Sequence, residues 1–330
     1  MTNSGLAMNA AIVKSGSSAT PVPAEPELVE RSWLAELHMR YRPDRSGRKT
    51  VADLLSVCGP LKVQRGFYPE MPAKADRLPP AVCHSYILHP PGGIVSGDRL
   101  AINITVAHDA RALITTTSAT RIYRVDERQV PQRQKLKLEV ASGATLEWLP
   151  LENIFFAGSR ADFDTEIILH EGSALFYREI SCLGRPASGI PFDESAHSFL
   201  RQRLRLMTAE GSPIHEERIA IHSDNMRNRA QMGEFSVTGS LLVHGFQSAQ
   251  LDSFTGAVHA SLLDELRGTI DAAFPDSTAC LALTSKPGLL ICRYLGHESG
   301  EATALFDLMW HQLRPRLLGC VAVPPRIWAT

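Results

Sequence analysis

Apolar and polar residues alternate over several stretches of the chain, and this pattern predicts β-strands. Ile102, Ile104 and Val106 alternate with polar neighbours, and residues 135–140 and 163–169 repeat the pattern. A period of two is typical of a strand with one buried face. Such runs return about every ten residues up to residue 250, with Gly, Pro, Asp or Ser between them, so a mainly β fold is predicted.

Two amphipathic helices are predicted near the C-terminus. Their apolar faces consist of Val258, Leu262, Leu263, Leu266 and Ile270 in the first and of Ala302, Leu305, Leu308, Met309 and Leu313 in the second. Pro275 and Pro315 follow the two patterns and are interpreted as stop signals. Since no helix is predicted between strands before residue 250, a doubly wound parallel sheet is disfavoured.

The chain divides into a tail and one folded unit. Residues 1–30 are rich in Ser, Ala, Pro and Thr without periodicity, which predicts a disordered tail. Residues 31–330 are predicted to form a single unit, a large β-sandwich or β-helix-like scaffold with two short C-terminal helices. Further strands are expected at residues 33–39, 51–57, 61–65 and 82–88, and a long loop at residues 184–195.

Composition narrows the function classes. The 330 residues are 44% hydrophobic and 21% charged, as in globular proteins with a sizeable core. A formal net charge of −1 argues against a broad surface for nucleic acid or anionic lipid. The first residues lack the basic start and apolar run that are typical of a secretory signal, and no run approaches the roughly 18 apolar residues of a membrane span. None of the six cysteines has the spacing of a zinc knuckle or redox pair, so a cytoplasmic protein with reduced thiols is expected.

Residues 89–98 (HPPGGIVSGD) form the most constrained stretch. Two prolines end the preceding strand, and three glycines permit backbone angles that side chains forbid. A phosphate loop would need Lys and Ser or Thr after the last glycine, whereas Asp98 stands there and would repel phosphate. A phosphate- or nucleotide-binding β module therefore remains only a third hypothesis.

Histidines and cysteines suggest a rival function. Cys83, His84 and His89 form the best candidate metal cluster, although on a strand His84 would face away from the other two. No His-Glu-x-x-His or Gly-x-Ser-x-Gly pattern accompanies them. A metal-dependent hydrolase on a β-sandwich is thus the alternative that these residues leave open.

The run of residues 174–183 reads as a strand buried on both faces, yet it contains Arg178 and Glu179. Burying an unpaired charge costs several kcal/mol, so each of these residues is expected to be paired or to line a wet cavity. Glu147 and Glu152 are candidates for the same cavity.

Several blocks of sequence, in order, resemble the urease accessory protein UreD (UreH) family. Besides residues 89–98 they are 59–70 (GPLKVQRGFYPE), 112–116 (ALITT), 119–124 (ATRIYR), 146–150 (LEWLP), 183–189 (LGRPASG) and 325–328 (PRIW). The chain departs from the family at Ser96 and at Thr117-Ser118, where Gly and Pro-Gly are usual. It also departs at Leu151, where Gln is usual, and at Ala157, where Asp is usual.

The resemblance implies a scaffold and not an enzyme. Members of the family bind apo-urease together with a helical partner, UreF, and a GTPase, UreG, and they are thought to pass nickel through a water-filled path. Nickel would then be in transit, with no tightly bound cofactor. Asp98 and Glu179 are the candidates for this path, with Thr120 and Glu147 as weaker ones. Asp98 has an alternative role as a turn cap.

Overall fold

The alternating segments form strands, as predicted. A computed structural model describes residues 33–70 and 79–329. Of this structure 46% is strand and 16% is helix, which confirms a mainly β fold with two helices near the C-terminus. The tail expected at residues 1–30 lies outside the described residues. Within those residues, no helix is long and apolar enough to cross a membrane.

The elements follow one another along the chain as strands first and helices last. The strands are β1 (Leu34–Pro43), β2 (Thr50–Cys58), β3 (Lys62–Val63), β4 (Cys83–Leu88), β5 (Arg99–Val106), β6 (Arg111–Thr116), β7 (Thr120–Ile122), β8 (Gln132–Val140), β9 (Thr145–Trp148), β10 (Asn153–Phe155), β11 (Arg160–Leu169), β12 (Ala174–Arg185), β13 (Ile190–Pro191), β14 (Phe199–Thr208), β15 (Pro213–His222), β16 (Val237–His244), β17 (Cys280–Lys286) and β18 (Leu289–Gly296). The helices are α1 (Ala260–Ala273) and α2 (Ser299–Leu318).

The strands form two sheets. The first has the order β15-β14-β11-β8-β5-β1-β2, and the main path of the second has the order β17-β18-β16-β12-β9-β6-β4-β3. The central strands of each sheet are parallel, from β1 to β14 in the first and from β4 to β12 in the second. The chain alternates between the sheets, so the connection between two parallel neighbours is a strand of the other sheet. This is a β-helix-like arrangement, and it needs no crossover helices.

Three layers result from this arrangement. The facing sides of the two sheets enclose one apolar core, to which β5 contributes Leu100, Ile102 and Ile104. Helices α1 and α2 cover the opposite side of the second sheet and enclose another core. Strand β12 therefore contributes Tyr177 to the first core and Phe176 to the second. Its burial on both faces agrees with the sequence pattern.

Some predicted boundaries are wrong. Helix α1 ends at Ala273, just before Pro275, but α2 continues through Pro315 to Leu318. Pro315 does not stop the helix, because contacts of the preceding turn with the sheet hold it in place. The helix ends instead at Gly319, whose φ of 65° is left-handed and whose N–H donates to the carbonyl of Pro315 at 3.1 Å.

Candidate functional site: two polar cavities that meet at Glu179

The glycine-rich loop lies across one end of the space between the sheets. Ile94 pairs with β7, donating its N–H to the carbonyl of Arg121 at 2.8 Å and accepting from Tyr123 N–H at 2.9 Å. A Cβ atom on Gly93 would lie 2.2 Å from the ring of Tyr123 and 2.8 Å from the carbonyl oxygen of Arg121. Glycine is required here because the loop and β7 approach so closely.

Asp98 closes this loop. Its Oδ1 accepts the N–H of Trp33 at 2.8 Å and its Oδ2 accepts the N–H of Val95 at 2.9 Å. The residue is 1% exposed and does not line the cavities described below. Asp98 thus ties the loop to the start of β1, which is the turn-cap role considered from the sequence.

The first cavity lies between the two sheets beside this loop. Its volume is about 80 Å³, and its walls include Leu100, Ile102, Leu136 and Trp148 from the inner faces of both sheets. Its polar lining includes Thr117, Ser118, Thr120, Gln134, Asn153 and Glu179. This volume is room for several water molecules, since about 10 to 15 Å³ of this measure holds one.

The second cavity lies on the other side of Glu179. It has a volume of about 30 Å³, and its polar lining consists of Ser181, Gln202, Glu217, Thr238, Ser240 and Glu179 itself. The two cavities share Glu179, and their linings combine polar with apolar side chains from the glycine-rich loop to β15 and β16.

Glu179 is held in place at this junction. The hydroxyl of Tyr177 donates to Oε2 at 3.1 Å, and the side-chain amide of Gln202 donates to Oε1 at 2.5 Å. Burial raises the pKa of Glu179 to about 7, and the negative charge of Glu217 acts in the same direction. The carboxyl group therefore changes its charge near neutral pH.

Glu217 borders the second cavity from β15. Burial opposes its ionisation, but hydrogen bonds from His215, at 2.6 Å, and from Arg293 outweigh burial and hold the pKa of Glu217 below its usual range. Sequence reasoning missed this residue. The alternation of side chains along β15 could have indicated it, because this alternation places Glu217 on the same side of the strand as Ile219 and Ile221.

Glu147 points to the opposite side of the second sheet. Its Oε2 accepts from Trp310 Nε1 at 2.6 Å and from Arg314 Nε at 2.9 Å, both on α2. Arg314 also contacts Glu70 at 2.8 Å, and Glu70 contacts His84 at 2.7 Å. We call these five residues the charged clamp. The structure thus brings Thr120 and Glu179 to the first cavity, but neither Asp98 nor Glu147.

Arg178, next to Glu179, faces the helices. It pairs with Asp307 of α2 at 2.8 Å, donates to the carbonyl oxygens of Leu149 and Pro150 at 3.1 Å, and lies 4.7 Å from the ring of Trp328. Both charged neighbours border the first cavity, and Arg178 is in addition paired with Asp307.

Comparison with known proteins shows to which family the chain belongs. The model of the family described as "UreD urease accessory protein" matches residues 34–329. The chain is 39% identical to urease accessory protein UreD 1 of Psychrobacter cryohalolentis, over 91% of this chain and 92% of that one. It is also 38% identical to urease accessory protein UreD of Marinobacter nauticus (91% and 94% covered) and to that of Pseudomonas fluorescens (94% and 99% covered).

The chain belongs to the UreD family.

Departures from the usual UreD pattern are accommodated locally. Ser96, where the family usually has glycine, donates its hydroxyl to Asp126 at 2.8 Å and contacts the carbonyl oxygen of Val130 at 3.1 Å. Thr117 and Ser118, which replace Pro-Gly, are both among the residues that line the first cavity. Neither change disturbs the contacts of Glu179.

The Cys83, His84 and His89 cluster of the rival hydrolase hypothesis does not converge in this UreD chain. Cys83 lies in the core between the sheets, His84 belongs to the charged clamp, and His89 lines the first cavity. Among residues 33–70 and 79–329, no group of three or more His, Cys, Asp or Glu side chains is arranged to hold a metal ion.

Proposed function

We propose that this UreD family member acts in urease maturation as a non-catalytic scaffold that binds apo-urease with UreF and UreG and passes nickel through its interior. The observation that carries the proposal is the junction of two polar cavities at Glu179. Nickel is cargo in this proposal. The relatives named urease accessory protein supply the biological setting.

The donor chemistry of the cavities suits a cargo ion. Most of the polar lining consists of hydroxyl, amide and carboxylate oxygens. Ni²⁺ binds nitrogen and sulfur donors tightly, so a site built from several of them would retain the ion. Oxygen donors and water hold it weakly enough to release it. As in a channel, binding has to favour uptake without preventing exit.

Glu179 and Glu217 provide the charge along this route. Each borders the second cavity, and Glu179 also borders the first. Ionised Glu179 offers a negative charge to an ion leaving the first cavity, while Glu217 offers the next one. Because Arg293 and His215 pair with Glu217, its charge is partly balanced when no ion is near. A nickel ion can therefore move from Glu179 to Glu217 without being bound too tightly to leave.

A matched pair of substitutions tests the proposal. Glu179→Met removes the anionic wall at the junction with little change in volume, and Glu139→Met removes a half-exposed carboxylate from the outward face of β8. Both variants are co-expressed with UreF, UreG and apo-urease, and complex assembly is checked by size-exclusion chromatography. We expect both complexes to form, and urease activation and nickel content to fall at least tenfold for Glu179→Met only. Full activation by assembled Glu179→Met would contradict the route.

A further inference from the structure

His89 is rigidly presented to the first cavity. It follows the last residue of β4 and opens a turn over Pro90 and Pro91, in which Gly92 N–H donates to the carbonyl oxygen of His89 at 3.0 Å. Each proline fixes its own φ, so the backbone that carries the imidazole has little freedom. The side chain lines the first cavity together with Glu179.

The imidazole of His89 lacks the partners that other enclosed histidines have. Both of its ring nitrogens are buried, and neither has a hydrogen-bond partner within the described part of the chain. By contrast, His84 pairs with Glu70, His215 with Glu217, and His244 with the carbonyl oxygen of Gly288. An unpaired buried polar group costs about 1 to 3 kcal/mol, so this arrangement requires an explanation.

Burial favours the neutral form of the His89 imidazole. Burial holds the pKa of its imidazole below the ordinary value, and the negative charge of Asp98 offsets this only in part. The ring is therefore neutral at pH 7, with a lone pair on one nitrogen. Neutral imidazole is the commonest protein ligand for transition metals and suits Ni²⁺ well.

The rest of the cavity supplies oxygen donors. Thr117, Ser118 and Thr120 line the same space, together with Arg121 and with Arg178, whose charge is paired with Asp307. One nitrogen ligand among oxygen ligands and water favours Ni²⁺, Co²⁺ or Zn²⁺ over Mg²⁺, which prefers oxygen alone. A single nitrogen is too few to trap the ion.

We infer that His89 is the nitrogen ligand with which the first cavity takes up a divalent transition-metal ion, the remaining positions being filled by cavity oxygens and water. The inference rests on the proposed nickel route, since it gives the route its first ligand. It concerns binding, however, and can be measured without urease.

The test uses the full-length chain without an affinity tag, at a concentration at which size-exclusion chromatography shows it to be monomeric, and Ni²⁺ alone as the probe. Isothermal titration is carried out on the wild type, on His89→Ala, and on His244→Ala, which removes a buried but paired histidine. We expect Ni²⁺ binding at least tenfold weaker for His89→Ala, unchanged for His244→Ala, and no comparable binding of Mg²⁺. Should His89→Ala lower the melting temperature, His89→Gln keeps the side-chain volume closer and serves in its place.

X-ray absorption at the nickel edge identifies the ligand. We expect the scattering signature of one imidazole in the wild type and only oxygen neighbours in the variant. Equal Ni²⁺ binding by wild type and His89→Ala, or an unchanged imidazole signature, would overturn the inference. Lost binding in His89→Ala with full urease activation would support the ligand and contradict the route. Unchanged binding in His89→Ala with failed activation by Glu179→Met would support the route and contradict the assignment of His89 as the ligand.

Discussion

The surroundings of Glu179 act on its charge in opposite directions. Burial and the negative charge of Glu217 favour the protonated form, whereas donors from Tyr177 and Gln202 stabilise the anion. The balance places its pKa at about 7. The sequence was enough to single out this residue, because a carboxylate stood in a strand that looked buried on both faces. The partner Gln202 could not be found in this way, because it lies on β14 of the other sheet and the packing of the two sheets brings it near.

The raised pKa of Glu179 predicts a pH-dependent stability that Glu179→Gln removes. An acid whose pKa is raised on folding binds more protons in the folded than in the unfolded state between about pH 4.5 and 7. Its contribution is present below this window and is lost as pH rises through it. We expect the free energy of unfolding of the wild type to fall relative to Glu179→Gln by about 2 to 3 kcal/mol from pH 5 to pH 8. Urea denaturation of both proteins at pH 5 and pH 8 measures this difference. An equal change in the free energy of unfolding for wild type and Glu179→Gln would contradict the prediction.

At the scale of elements, the charged clamp fastens α2 to the second sheet. Arg314 is fully buried and contacts Glu147 and Glu70. The clamp explains why α2 continues past Pro315, and it could not be predicted from the sequence, since Arg314 and Glu147 lie 167 residues apart. Alternation did reveal the strands. It did not reveal their parallel pairing, because a strand with one buried face has the same pattern in either direction.

Arg314→Met is expected to destabilise the chain strongly. The change leaves Glu147 and Glu70 buried without their cation, which costs about 3 to 5 kcal/mol when one partner of a buried pair is removed. Arg316→Met on the same helix breaks a partly exposed pair with Glu265 and should cost less than about 1 kcal/mol. Adding Glu147→Gln to Arg314→Met should restore part of the loss. Equal unfolding midpoints of the two single variants in urea would show that the clamp does not fasten the helix.

At the scale of the whole molecule, the first sheet ends in an exposed apolar strand. Strand β2 is its edge, and Leu54, Leu55 and Val57 are 54%, 62% and 42% exposed. Trp33, next to β1, is 52% exposed. Exposed apolar side chains on an edge strand favour association, and a net charge of −1 opposes it only weakly. The net charge follows from the sequence alone. Which apolar residues remain exposed does not, because this depends on the order of the strands in the sheet.

The isolated chain is expected to aggregate through this edge, and UreF is expected to suppress the aggregation. Leu55→Lys should raise the monomeric fraction severalfold at equal concentration, because a lysine on an edge strand opposes pairing. Val321→Lys adds the same charge at a position that is 69% exposed near the C-terminus, and it serves as the control. Light scattering after size exclusion measures both. A wild type that is monodisperse at high concentration and indifferent to UreF would refute the expectation.

The central claim, that nickel crosses the interior of this UreD chain, is tested most directly by a reversible plug. Thr120→Cys places a thiol in the first cavity, in a background where the exposed Cys58 and Cys280 are serine. The chain is labelled with a bulky disulfide-forming reagent, assembled with UreF, UreG and apo-urease, and assayed for urease activation before and after reduction. The parent with Thr120 intact receives the same treatment. We predict activation that falls at least tenfold on labelling, returns on reduction, and is unaffected in the parent. Full activation by the labelled, assembled complex would contradict the account.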